Sequence, residues 1–218
     1  GHELRNPLAP IGMAVEIMRM RAPDDDSIIW ARDVIDRQVG QLTRLVDDLL
    51  DVSRITRGKI RLNMATLDLG SIIMQAIETT RPLFVARKHQ LSIEVPQRPL
   101  LVRGDGVRLA QVISNLLNNA AKYTADGGRI ALNLQQIDSH AVLRVADNGM
   151  GIPAHMLECV FDMFTQVDGP SDRSQGGLGI GLALVTRLVE MNDGAIEARS
   201  EGPGHGSQFI VRLPLTFA

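Results

Sequence analysis

His2 and Glu3 put an imidazole beside a carboxylate, and Asn6 adds an amide one helical turn further on. Within His2-Glu3-Leu4-Arg5-Asn6-Pro7 the ring is a candidate nitrogen nucleophile, and Glu3 is the nearest group able to accept its proton. Such a pair needs an electrophile, and three clusters far downstream are suited to a nucleotide. Asn115 and Asn119 are four apart, so both amides leave one face of a helix, with Lys122 one turn beyond Asn119. Amide oxygens are hard neutral ligands suited to Mg²⁺ already coordinated by phosphates, and Lys122 can meet phosphate charge. Read alone, the cluster is also a polar helix face with ordinary capping.

The second cluster, Asp147-Asn148-Gly149-Met150-Gly151-Ile152-Pro153, follows an apolar strand pattern. A carboxylate at a strand end can accept from an exocyclic amine, and Gly149 and Gly151 let backbone approach a flat base. A plain turn between strand and helix is the alternative. The third, Gly176-Gly177-Leu178-Gly179-Ile180-Gly181-Leu182, opens a helix and exposes amides at its positive end, an arrangement suited to phosphate. It is not a P-loop, since no Lys-Ser/Thr follows, nor a dinucleotide fingerprint, since no strand runs into it. A flexible hinge is the alternative here.

Two kinds of element must position these groups. Leu4, Leu8, Ile11, Val15 and Met18 step by four and three along one helix face, until Pro23-Asp24-Asp25-Asp26 breaks the pattern. Ser27 is an N-cap for a second helix carrying Ile28, Ala31, Ile35, Leu42, Leu45, Leu49 and Val52 at coiled-coil spacing. Val39, Val46, Leu50 and Ile55 widen that stripe beyond what one partner helix covers, which predicts a four-helix bundle built from two chains. After Arg57-Gly58 the periods mix. Strands are expected at 59–63, 90–95, 100–103, 129–136, 141–146, 195–199 and 207–213, and helices at 69–87, 107–123 and 178–191. Strands and helices without strict alternation make the second region a two-layer α+β sandwich with a mixed sheet.

Composition narrows the function class. A formal net charge of −2 leaves no footprint for nucleic acid, and 3% aromatic residues offer no stacking platform for single strands. Cys159 is the single cysteine, which excludes an internal disulfide framework and a Cys-rich zinc site. No apolar run approaches the roughly 20 residues of a membrane span. His89, His140, His155 and His205 lack a carboxylate neighbour in a helical setting, and surface or turn positions are expected for them.

In their order and spacing the clusters resemble the ATP-binding domain of sensor histidine kinases, which belongs with the gyrase and heat-shock chaperone ATPases. The Asn helix resembles the N box, Asp147 to Gly151 the G1 box and Gly177 to Gly181 the G2 box. Phe161-Asp162-Met163-Phe164-Thr165-Gln166 resembles the F box that starts a mobile lid, and Gly206-Ser207-Gln208-Phe209 a closing strand motif. The resemblance implies that Asn119, with Asn115, holds Mg²⁺, that Lys122 and Tyr123 line the phosphate side, and that Asp147 bonds the adenine amine. It extends the ATP contacts to Gly149, Gly151, Ile152, Phe164, Gly177, Leu178, Gly179, Gly181 and Leu182. Arg173 in the lid is either a phosphate contact or a solvated charge.

The segment at His2 resembles the H box of the same family. His2 is then the phosphoacceptor, Glu3 its base, and Asn6 the position that orients a hydrolytic water when phosphatase activity occurs. Pro7 and Pro10 each remove a helical donor and imply a bend just after the site. The implied domains are 1–57, a phosphoacceptor hairpin truncated at its N-terminus, and 58–218, the catalytic ATP-binding domain. The family's His-Gly-Gly after the last long helix is replaced by Asn192-Asp193-Gly194, with Gly194 expected just past the helix end. The implied activity is ATP-dependent histidine autophosphorylation with transfer to a response-regulator aspartate. The expected partners are a second copy, through the hairpin when its first helix is complete, and a receiver domain, with no nucleic acid and no membrane contact. A cytoplasmic segment of a bacterial sensor is expected. The competing class is an ATP-binding docking module or conformational ATPase without histidine phosphorylation.

Overall fold

Two aspartates start the long helices around which the second region is built, and both act through their side chains. The computed structural model describes residues 62–165 and 179–216, together with Ile35, Val39, Gly40, Leu42, Thr43, Val46 and Leu50 before them. The chain divides into two compact units, Gly1–Ile60 and Arg61–Ala218. In the first unit all seven described residues are helical, as the stripe through Ile35, Leu42 and Val46 requires. His2, Glu3, Asn6, Arg173, Gly177 and Leu178 lie outside the described residues.

In the second unit a short strand β1 (Ala65–Asp68) leads into α1 (Leu69–Ala86). The Asp68 carboxylate accepts from the backbone N–H of Gly70 and Ser71, both at 3.2 Å, and so caps the first turn. Leu69, Ile72, Ile73, Ala76, Ile77 and Phe84 form its buried stripe. Strands β2 (Gln90–Glu94) and β3 (Leu101–Gly104) precede α2 (Gly106–Tyr123). Asp105 caps α2, accepting from Val107 and Arg108 at 3.0 and 3.2 Å. Strands β4 (Arg129–Ile137) and β5 (His140–Asp147) form a hairpin turned by Asp138-Ser139, with Asp138 at φ 51°. A single 3₁₀ turn (Ala154–Met156), α3 (Gly181–Met191), β6 (Ala195–Arg199) and β7 (Ser207–Pro214) complete the unit.

The main sheet runs in the order β2-β4-β5-β7-β6, with β2 and β4 parallel and every other pair antiparallel. β1 and β3 make a separate antiparallel ladder. The helices form the second layer, with α2 between α1 and α3. Ile130, Leu132, Leu134, Leu143, Val145, Phe209, Val211 and Leu213 turn inward onto Leu109, Ile113, Leu116, Leu117, Leu184 and Leu188, all buried. This is the expected two-layer α+β sandwich with a mixed sheet. Among the described residues no helix is long and apolar enough to cross a membrane.

Three local expectations are corrected. Of the strand expected at 59–63, residues 59–61 lie outside the described residues and Leu62 and Asn63 are not in a strand: the Asn63 N–H donates to the Asp105 carboxylate at 2.9 Å, and β1 begins at Ala65. The helix expected from 178 begins at Gly181, because Gly179 takes a left-handed φ of 67° and its carbonyl accepts from Phe164 N–H at 3.0 Å. Past α3 the left-handed residue is Asp193 (φ 57°), not Gly194. Gly194 is needed for a different reason. A Cβ there would stand 2.6 Å from the Arg212 carbonyl oxygen.

Candidate functional site

The apolar stripe of α2 leaves a second stripe free. Leu109, Val112, Ile113, Leu116, Leu117 and Ala120 take the core, and Asn115 and Asn119, both half-buried, fall along one flank of that stripe. Beside that flank, β5 ends at Asp147, and the chain turns through Gly149, Met150 and Gly151 into Ile152. An open cleft lies between them. Asn119, Tyr123, Asp147, Gly151, Ile152 and Leu182 line it, from three elements and one loop.

Asp147 is held through both oxygens. Its Oδ1 accepts from Gly149 N–H at 2.8 Å and its Oδ2 from the Ser207 hydroxyl at 2.6 Å. A carboxylate has about four acceptor sites, so each oxygen retains one for a ligand donor. The loop is pinned from both sides. Met150 N–H donates to the Tyr123 carbonyl at 3.1 Å, and Gly206 N–H to the Gly149 carbonyl at 3.1 Å. Gly204 N–H reaches the Met150 carbonyl at 2.7 Å. These approaches leave no room for side chains: a Cβ on Gly151 (φ 72°) would collide with the Gly202 carbonyl oxygen.

Other expected residues sit at the margin. Gly149 stands behind Asp147 and does not line the cleft. The buried side-chain nitrogen of Asn115 has no hydrogen-bond partner among the described residues, and this residue too is not in the lining. Lys122 is folded over its neighbour, with Nζ 3.1 Å from the Tyr123 hydroxyl and 4.7 Å from the ring centroid. Phe164 is 65% exposed in a left-handed conformation (φ 67°), outside the lining. Gly181 is the first residue of α3, whose N-terminus carries no side-chain cap and no acidic residue in its first turn. Such a start leaves its opening amides without an N-cap side chain of their own.

The structure adds Met150, Val160, Thr165, Ser207 and Phe209 to the lining. Ser207 lies directly across the ladder from Asp147, a pairing set by the β5–β7 register. His155 and His205 are exposed, as expected. His89 lies in the turn between α1 and β2, half-buried and edge-on to Phe84, with Nε2 3.1 Å from the Ala121 carbonyl.

On the sheet surface away from the helices, Glu197 lies between Arg199 at 2.7 Å and Arg212 at 3.1 Å. The hydrogen bond from Arg212 and the charges of both guanidiniums hold its carboxyl below the usual value of 4.5.

Residues 104–217 match the model of the histidine kinase-, DNA gyrase B-, and HSP90-like ATPase family, and residues 1–58 match the His Kinase A (phospho-acceptor) domain. The chain belongs to this ATPase family and, with its phosphoacceptor domain, to the sensor histidine kinases of two-component systems. It is 35% identical over 98% of its length to the probable sensor histidine kinase TcrY of Mycobacterium tuberculosis, of which it spans 44%. It is also 35% identical to the adaptive-response sensory kinase SasA of Thermosynechococcus vestitus, over 98% of this chain and 58% of that protein. Among solved structures it resembles full-length ShkA in complex with AMPPNP, with a TM-score of 0.81 and 27% identity over 100% of this chain and 45% of that one.

Proposed function

We propose that this chain binds ATP in the cleft between α2 and the Asp147 loop and uses it to phosphorylate His2. The observation that carries the reading is the cleft itself. It gathers a carboxylate with spare acceptor sites, a facing Asn119 amide and the uncapped start of α3. Each suits one part of a nucleotide: amine, metal-bound phosphate, and phosphate oxygens. The similar protein ShkA was solved with the ATP analogue AMPPNP.

Asp147 accepts from the adenine amine while Gly151 and Ile152 offer a flat backbone surface to the ring. Among the described residues no group of three or more His, Cys, Asp or Glu gathers to hold a metal ion. Asn119, in the cleft lining, would offer Mg²⁺ a neutral amide oxygen, and the phosphates would supply the remaining charge. Mg²⁺ held there would supply neutralisation of the phosphate charge. A ring nitrogen of His2 attacks the γ-phosphorus as the bond to the bridging oxygen breaks and ADP leaves. The proton on the opposite ring nitrogen passes to Glu3. Lys122, released from Tyr123, meets phosphate charge. Onward transfer to a receiver aspartate and hydrolysis assisted by Asn6 complete the proposed cycle. Ile35 and Leu42, a heptad apart and 37% and 48% exposed, support pairing of the hairpin with a second copy.

Exchange of His2 for Gln tests the reading. The variant should incorporate no acid-labile label from γ-labelled ATP while binding nucleotide as wild type does. Persisting label would refute His2 as acceptor, and binding without labelling in wild type would favour the docking-module reading.

A further inference from the structure

We propose that Ser200 is a positioning residue for base recognition, and the inference rests on the reading that the cleft binds ATP. Ser200 follows β6, and its hydroxyl joins the β6–β7 connection to the loop after Asp147. Ser200 Oγ accepts from Ile152 N–H at 2.9 Å and from Gly202 N–H at 3.2 Å. It donates to the Gly206 carbonyl at 2.7 Å, with the Gly202 carbonyl at 3.4 Å as a poorer acceptor. A hydroxyl has one proton and two lone pairs, so every valence is used on backbone.

The two segments joined are those that hold Asp147. Gly149 N–H fixes one carboxylate oxygen, and Ser207, next to Gly206, fixes the other. The Ser200 hydroxyl ties Ile152 to Gly206 and so sets the spacing of those two anchors. Without it, Ile152 N–H and the Gly206 carbonyl each lose a half-buried partner. The loop then keeps only its backbone bonds to Gly204, Gly206 and Tyr123, and the direction of the free lone pairs of Asp147 shifts as the Ile152 end relaxes. Ser200 touches no ligand. It acts on the angle at which Asp147 meets an exocyclic amine.

That role predicts a loss of discrimination rather than a uniform loss of affinity. ATP carries an amine where inosine triphosphate carries a carbonyl, so the ratio of their affinities reads the Asp147 contact. Both nucleotides are titrated by calorimetry, with Mg²⁺, into the 218-residue chain and into Ser200→Ala and Ser200→Thr. Wild type should favour ATP at least roughly tenfold, the worth of one hydrogen bond to a charged group. Ser200→Ala should cut that ratio severalfold and speed hydrogen exchange at the Ile152 amide, and Ser200→Thr should restore both. An unchanged ratio in Ser200→Ala, an equal loss for both nucleotides, or a Thr variant as poor as Ala overturns the assignment while the ATP reading stands. A wild-type chain that does not distinguish the two nucleotides overturns the ATP reading and this inference with it.

Discussion

Asp147 is a carboxylate whose orientation is set by a backbone amide two residues on and a hydroxyl sixty residues on. In the proposed reading its remaining lone pairs receive the adenine amine. Asp147→Asn puts an NH₂ group where one oxygen stood, so either Ser207, Gly149 or the ligand faces a donor with its own donor. A hydrogen bond to a charged group contributes about 1.5–3 kcal/mol, so ATP affinity should fall roughly tenfold to a hundredfold by calorimetric titration. Asn119→Ala should weaken ATP binding in Mg²⁺ and leave binding in excess chelator nearly unchanged. Equal affinities in Mg²⁺ for wild type and variant would remove Asn119 from the metal site. The residue types at this site were legible as motifs. Ser207 was visible only as part of a closing strand motif, because nothing local to it indicates which strand it faces.

The elements are held by caps and bridges as much as by apolar stripes. Asn192, at the C-cap of α3 and 1% exposed, accepts from Asp105 N–H at 2.9 Å and donates to the Leu188 carbonyl at 2.7 Å. It thereby joins the end of α3 to the cap of α2. Asn192→Ala leaves the Asp105 amide buried without a partner, at a cost of about 1–3 kcal/mol. A scanning-calorimetry Tm several degrees lower is expected, with ATP affinity retained well below the melt. Asn192 stands where the family has His, and one residue at a helix end does not reveal an eighty-seven-residue bridge. The spans of α1, α2, β2 and β6 were legible because their periodicity is local. The start of α3 was not, since Gly179 and Phe164 decide it together.

For the whole molecule, acid stability draws on the outer sheet face as well as the core. The folded pKa of Glu197 lies below its ordinary 4.5, so its contribution is present above that value and is lost as pH falls through the folded one. More than a third of Arg212 is exposed, so the effect is small, under about 1 kcal/mol. Urea melts from pH 6 downward should show wild type losing stability below about pH 4.5 more steeply than Glu197→Gln. Parallel curves would mean that neither guanidinium matters to it. The chain spans about 44% of the length of the mycobacterial relative.

The sequence by itself determined the helical stripes, the α+β class, and the order of the N-box, G1 and G2 segments. Each of these depends on residue type and on periods of a few residues, which a chain displays locally. Only the tertiary structure decided that Asp147 stands opposite Ser207, that Ser200 reaches Ile152 forty-eight residues back, and that Asn119 lines the cleft while Asn115 does not. Alternation along a strand states which face a side chain takes but not which strand lies beside it. The partners of Asp147 therefore follow from the β5–β7 register, which is settled by packing the whole sheet against α2.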